Sequence, residues 1–166
     1  FKALDDSSNR RDKQQCKSNY YQIWCCDKWC DIRRVIRHKT KKKIYRVSTL
    51  CGIVDVTEDH SLLDTVGELV KPKDCIIGET RLLSGFPTIE QSVKIKFGNL
   101  GFGTKSKVEA QRFYTLMKLN GVEMNISIKN GNYYLSQSQG LDTDNKNIIR
   151  SIEFLRYTED DEFVYD

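Results

Sequence analysis

Apolar residues along much of this chain alternate with polar ones in short runs separated by Gly, Asn, Asp and Pro. This is the texture of antiparallel strands with one face buried and one face wet. YYQIW from Tyr20, a turn at Cys26-Asp27-Lys28 and WCDIRRVIRH from Trp29 predict a hairpin. In KKKIYRVSTLCGIVDVT, Ile44, Arg46 and Ser48 alternate with Tyr45, Val47 and Thr49, Gly52 marks a turn, and Ile53 to Thr57 return as a second strand. The rhythm then breaks. Pro72 excludes a regular helix or central strand in its neighbourhood, and Cys75-Ile76-Ile77 predicts the start of another strand.

Further along, SKVEAQRFYTLMKLNG predicts the one amphipathic helix, with Ser106 as N-cap and Gly121 as the stop. Its expected apolar positions are Val108, Phe113, Leu116, Met117 and Leu119. Asn130-Gly131 is the strongest hairpin signal in the chain. Residues 139–147 read as a polar loop, and IIRSIEFLRY and EFVYD as final strands. Residues 1–19 are polar and read as a loop or frayed lead-in.

Composition changes this picture little. Apolar residues make up 39% and charged residues 30%, an ordinary soluble balance. No run approaches the roughly 18 apolar residues that span a bilayer, and no signal peptide is visible, so the expectation is an intracellular protein with no membrane partner. Phe1 in place of Met points to a trimmed piece, a fragment or a processed product. The net charge is only +4, but it is unevenly spread. Arg33, Arg34, Arg37, Lys41, Lys42 and Lys43 fall in one basic run, while residues 158–166 (TEDDEFVYD) are acidic. The basic run is a candidate DNA contact, although the solvated face of a strand-loop-strand edge is the simpler reading. None of the cysteines forms a CxxC pair, and His38 and His60 are the only histidines, so no metal and no cofactor are expected. Cys25, Cys26 and Cys30 read as small residues on a strand and its turn.

The segment most suggestive of chemistry is Val56-Thr57-Glu58-Asp59-His60. A Thr and a His three residues later, at a strand end, can converge on one backbone amide. Imidazole can protonate the amide nitrogen, a poor leaving group, near neutral pH, while the hydroxyl holds the same amide. Breaking that bond also requires a nucleophile beside it. Thr-x-x-His alone reads more simply as a strand end with a turn-capping Asp59 and an exposed His.

The neighbours of this tetrad carry a resemblance. IYRVSTLCGIVDVTEDHSLL followed by ELVKPKDCIIGETRLL, with YYQIW and IRRVIRHKTKKKIYRV upstream, resembles the inteins of family B DNA polymerases, especially those of large DNA viruses. The resemblance is specific over residues 20–83. It implies a mainly β, Hint-type antiparallel horseshoe carrying a small α/β insertion. It also implies that Thr57 and His60 activate the N-terminal splice junction, with Asp59 positioning the turn. Val164-Tyr165-Asp166 resembles the start of the family's C-terminal motif, which makes Asp166 the counterpart of an aspartate assisting the later steps. The nucleophile that opens the family's sequences and the His-Asn that closes them have no match here.

More loosely, residues 91–128 are similar to the last strand-helix-strand part of a LAGLIDADG homing endonuclease, without the acidic helices that hold Mg²⁺ for cleavage. Lys105, Lys107 and Arg112 on that part could contact phosphates or simply face water.

The expected layout is a lead-in (1–19), the first part of the Hint domain (20–85), an endonuclease-like remnant (86–140) and the closing Hint strands (141–166). The expected function is that of an internal fragment of a splicing element in a DNA polymerase. Its partners would be the flanking host (extein) segments and the missing intein termini. It would be autocatalytic only when those termini are supplied, and would have no nuclease activity. Two alternatives stay open: a DNA-binding remnant of an endonuclease-containing intein, and a non-catalytic β domain of a larger polymerase polypeptide.

Overall fold

A computed structural model describes residues 2–3, 13–18, 20–25, 28–84, 101–138 and 143–165. The structure is mainly β, with antiparallel pairing throughout and one helix of 13 residues. In chain order the strands are β1 (Lys2–Ala3), β2 (Lys13–Lys17), β3 (Gln22–Cys25), β4 (Lys28–Asp31), β5 (Arg34–Lys39), β6 (Lys43–Thr49), β7 (Gly52–Thr57), β8 (Leu62–Leu63) and β9 (Leu69–Val70). They continue as β10 (Gly101–Thr104), β11 (Met124–Lys129), β12 (Asn132–Gln137), β13 (Ser151–Tyr157) and β14 (Phe163–Tyr165). Helix α1 spans Lys107–Leu119 and the short α2 spans Thr143–Lys146.

Two sheets interlace early and late parts of the chain. One runs β1-β2-β5-β14 and the other β13-β6-β7. β5 and β6 are consecutive, and so are β13 and β14, so the late pair lies along the early pair strand for strand. Tyr165 opposes Arg37, and Tyr157 opposes Lys43. The two corners are bolted together by buried Thr158. Its amide donates to Lys42 O (2.8 Å), and its hydroxyl accepts from Lys42 N (2.9 Å) and donates to Thr40 O (2.5 Å). Every polar group of that corner side chain is thereby satisfied, as burial demands.

The predicted β6–β7 hairpin forms, with Thr49 opposite Gly52 across the turn. The β3–β4 hairpin also forms, but its expected second strand is shorter: β4 ends at Asp31, and Arg34–Lys39 is the separate strand β5 between β2 and β14. The turn residues Cys26 and Asp27 lie outside the described residues. Three other expectations need correction. First, residues 13–17 are not lead-in but the strand β2, held against β5 with Cys16 opposite Val35. The strand is polar because only its pairing, not an apolar face, fixes it. Second, Cys75–Ile77 does not form a strand. A 3-10 turn at Pro72–Asp74 precedes it and Gly78 follows at φ +85°, while the Thr80 hydroxyl captures Ile76 N at 2.8 Å. Third, part of the polar loop at 139–147 is the short helix α2.

A second unit consists of the sheet β10-β12-β11 covered by α1. Ser106 caps the helix, accepting from Glu109 N at 3.3 Å, and the chain leaves it through Gly121 at φ +70°. Asn130 (φ 51°) and Gly131 (φ 70°) form the expected tight turn of β11–β12, both in the left-handed region that such a turn needs. The helix face is rotated from expectation. Ala110 is fully buried and Phe113, Tyr114 and Met117 pack on the core, whereas Val108 and Leu116 are exposed. A stripe at 110, 113, 114 and 117 follows the i, i+3, i+4, i+7 rule more closely than the expected set.

Among the described residues the core has two parts. One joins Ile53 to Ala110, Val122, Met124, Ile126, Tyr133 and Leu135, and so cements the second unit to β7. The other joins Val47, Val56 and Ile149. Ile149 is locked in place by Gly78 N donating to its carbonyl (3.0 Å) and its own amide donating to Thr80 O (2.9 Å). No described helix is long and apolar enough to cross a membrane.

Candidate functional site

β7 ends at Thr57, and the chain turns at once. Glu58 N still reaches Lys43 O across the ladder (2.9 Å), and His60 N donates back to Thr57 O (3.0 Å). That four-residue turn brings Thr57 and His60 to the rim of one cleft of about 320 Å³. Ile44, Asp55 and Val56 continue this wall. The rest of the lining comes from a hundred residues later: Arg156 at the end of β13, Glu162 in the following turn, and Val164 and Tyr165 of β14. The interlaced sheets are what bring these segments together. The lining of the cleft mixes aliphatic side chains with a hydroxyl, an imidazole and charged groups.

The charged groups are held in fixed pairs. Arg156 forms a two-pronged bridge with Glu162 (2.6 and 2.7 Å), and Glu162 also accepts from Glu159 N (2.9 Å). The Arg156 guanidinium, aided by that amide, pulls the Glu162 carboxyl down to about 2. Asp55 receives Arg46 Nε and Nη2 (2.8 and 2.9 Å) and Lys107 Nζ (2.7 Å). Burial pushes the Asp55 pKa upward, but its bonds to Arg46 and Lys107 outweigh this and leave it below the ordinary value. Lys107 stands at the first turn of α1, so the second unit is tied by an ion pair to the back of the cleft.

Asp59 lies within the turn. It accepts the Thr57 hydroxyl at 3.1 Å on one oxygen and the Lys42 ammonium on the other. Lys42 lowers its pKa most, with the Thr57 hydroxyl contributing in the same direction.

The structure therefore brings Thr57 and His60 together at one cleft. Asp166 lies outside the described residues, although its neighbours Val164 and Tyr165 line the same cleft. The candidate DNA-contacting run is not gathered into a free basic face. Lys41 pairs with Asp160 (2.7 Å), Lys42 with Asp59, and the intervening Lys39 with Asp161. Arg37 donates to Gln14 Oε1 (3.0 Å) and stacks over Phe163, 4.1 Å from the ring centre. Lys43 pairs its backbone in β6, and Arg34 donates to Gln15 at 3.4 Å. Arg33 is exposed. The acidic stretch near residue 160 thus meets the basic run as its counter-charge.

Three site residues escaped sequence reasoning. Asp55 could have been found, because a hairpin with Thr49 opposite Gly52 necessarily sets Arg46 opposite Asp55. Arg156 and Glu162 gave no local signal, since their relevance depends on β14 returning beside β5.

Comparison with known proteins bears on about half of the chain. It is 56% identical over 90 residues to a DNA polymerase of Acanthamoeba polyphaga mimivirus, a match covering 52% of this chain and 5% of the polymerase. It is 38% identical over 86 residues to a DNA polymerase of Thermococcus hydrothermalis, covering 51% of this chain and 4% of that protein. A DNA polymerase of Thermococcus sp. (strain GE8) is 35% identical over 85 residues, with the same shares. No family model matches the chain, and no solved structure matches it. The chain spans about one twentieth of the length of the curated relatives it matches, and about half of it is similar to a short segment of these large DNA polymerase polypeptides.

Proposed function

We propose that this chain is the internal part of a protein-splicing element of the Hint type, inserted in a DNA polymerase. Thr57 and His60 are its activating pair for the N-terminal splice junction. The observation that carries this reading is the shared cleft: the hydroxyl and imidazole residues of the VTEDH block line it together, with the late strand β14 as the opposite wall. The interlaced sheets suit a Hint-type horseshoe, in which early and late strands must pair to form one site. The likeness to short segments of DNA polymerases agrees with an insert in such a host.

On this reading the scissile amide docks in the cleft. A nucleophile at the junction attacks the preceding carbonyl, and the acyl group moves from nitrogen to that nucleophile. His60 delivers the proton that the departing nitrogen needs, and Thr57 holds the same amide in place. The nucleophile and the terminal Asn belong to the polypeptide flanking residues 1–166. Asp166 assists the later steps. The strand-helix-hairpin unit is an endonuclease remnant without cutting activity, and contact with DNA is secondary, since Lys39, Lys41 and Lys42 in the basic run each pair with a carboxylate.

The test is junction cleavage in the polypeptide encoded by the full reading frame. His60→Ala and Thr57→Val should each slow thiol-induced cleavage at the N-terminal junction, for His60→Ala by roughly a hundredfold or more. Cleavage at the parental rate in both variants would refute the assignment.

A further inference from the structure

We infer that Asp59 is a positioning residue of the splice site: it takes the proton of the Thr57 hydroxyl and so fixes Thr57 as a hydrogen-bond acceptor toward the cleft. The inference rests on the reading of Thr57 and His60 given above and adds a residue to it.

A threonine hydroxyl has one proton to donate and two lone pairs to accept with. In isolation it rotates freely and can present either to a ligand. Here the proton is committed, because Thr57 Oγ1 donates to Asp59 Oδ1 at 3.1 Å. An ionised carboxylate only accepts, so the polarity of that bond cannot reverse. The second carboxylate oxygen is occupied by the Lys42 ammonium, which keeps the group charged and stops it from rotating away. Lys42 is itself fixed, since its amide and carbonyl are both bonded by Thr158 at the crossing of the two corners. A continuous chain of contacts thus runs from buried Thr158 through Lys42 and Asp59 to the Thr57 hydroxyl.

The consequence is chemical. What Thr57 still offers the cleft is lone pairs, and the part of a peptide bond that answers a lone pair is its N–H. His60, on the same rim, can address the same nitrogen as a donor once the nitrogen becomes basic. The two residues then act on one atom with opposite polarity, the hydroxyl accepting N–H and the imidazole supplying a proton. Without Asp59 the Thr57 proton could point into the cleft and oppose the docked N–H.

The experiment is a double-mutant cycle in the polypeptide from the full reading frame, reading cleavage at both junctions. Asp59→Ala and Asp59→Asn should each slow N-terminal cleavage roughly tenfold, the scale of one charge-assisted hydrogen bond. Both should leave C-terminal cleavage at the parental rate. In a Thr57→Val background the same Asp59 changes should cause no further slowing, because there is no hydroxyl left to orient. Equal slowing in both backgrounds, equal slowing at both junctions, or no slowing at all would overturn the inference. If Thr57→Val alone leaves N-terminal cleavage unchanged, the splice-site reading falls with it. If Thr57→Val slows cleavage and the Asp59 variants do not, only the role of Asp59 falls.

Discussion

Met124, Leu135 and Ile149 are each almost wholly withdrawn from water, and the cores they anchor are small. In a small core a single large side chain is a large share of the apolar contact. Met124→Ala removes a side chain packed among Val122, Ile126 and the inner face of α1, and should cost about 2–5 kcal/mol. Urea unfolding of the variant beside the parent measures it, and a loss below about 1 kcal/mol would contradict the packing. At this scale the sequence was informative where the geometry is local. Thr57 and His60 are three residues apart, so their order alone suggested a shared turn. Arg156 and Glu162 were invisible because their partners across the cleft lie about a hundred residues earlier in the chain. Lys42 and Asp59 were both noticed, one as a DNA contact and the other as a turn former. Only the structure shows that each holds the other.

Elements with their own punctuation were legible: α1 through Ser106 and Gly121, the β11–β12 hairpin through Asn130-Gly131, and β6–β7 through alternation. β2 was not, because a strand spelled Lys-Gln-Gln-Cys-Lys is specified by the neighbour it pairs with rather than by an apolar face. The turn from β13 to β14 carries a distinct electrostatic signature. Glu162 has a pKa of about 2 in the folded chain against an ordinary 4.5, because Arg156 and the Glu159 amide favour its charged form. A depressed carboxyl contributes stability that is complete above its unfolded pKa. That contribution is lost as pH falls from about 4.5 through about 2. An NMR titration of the Glu162 carboxyl should give a midpoint near 2, moving toward 4.5 in Arg156→Gln. A midpoint near 4.5 in the parent chain would mean that the bridge does not form in solution.

For the molecule as a whole, the organising fact is that early and late strands are woven together, β14 on β5 and β13 on β6. The weave does two things. It brings the acidic stretch around residue 160 against the basic run, where Asp161 pairs with Lys39 and Asp160 with Lys41. It also builds a cleft that neither half of the sequence could line alone. The mainly β class was readable from alternation, whereas the weave was not, since long-range pairing leaves no local trace. The proposed splicing role would give such a cleft, with its Thr-His pair, a use in a chain about half of which is similar to DNA polymerases. The most direct measurement is peptide mass mapping of the polymerase produced from the full reading frame. Splicing would yield one tryptic peptide joining the host sequences on either side, with residues 1–166 recovered only in a separate, excised polypeptide. A mature polymerase that retains residues 1–166 within its continuous chain, with no joined peptide, would contradict it.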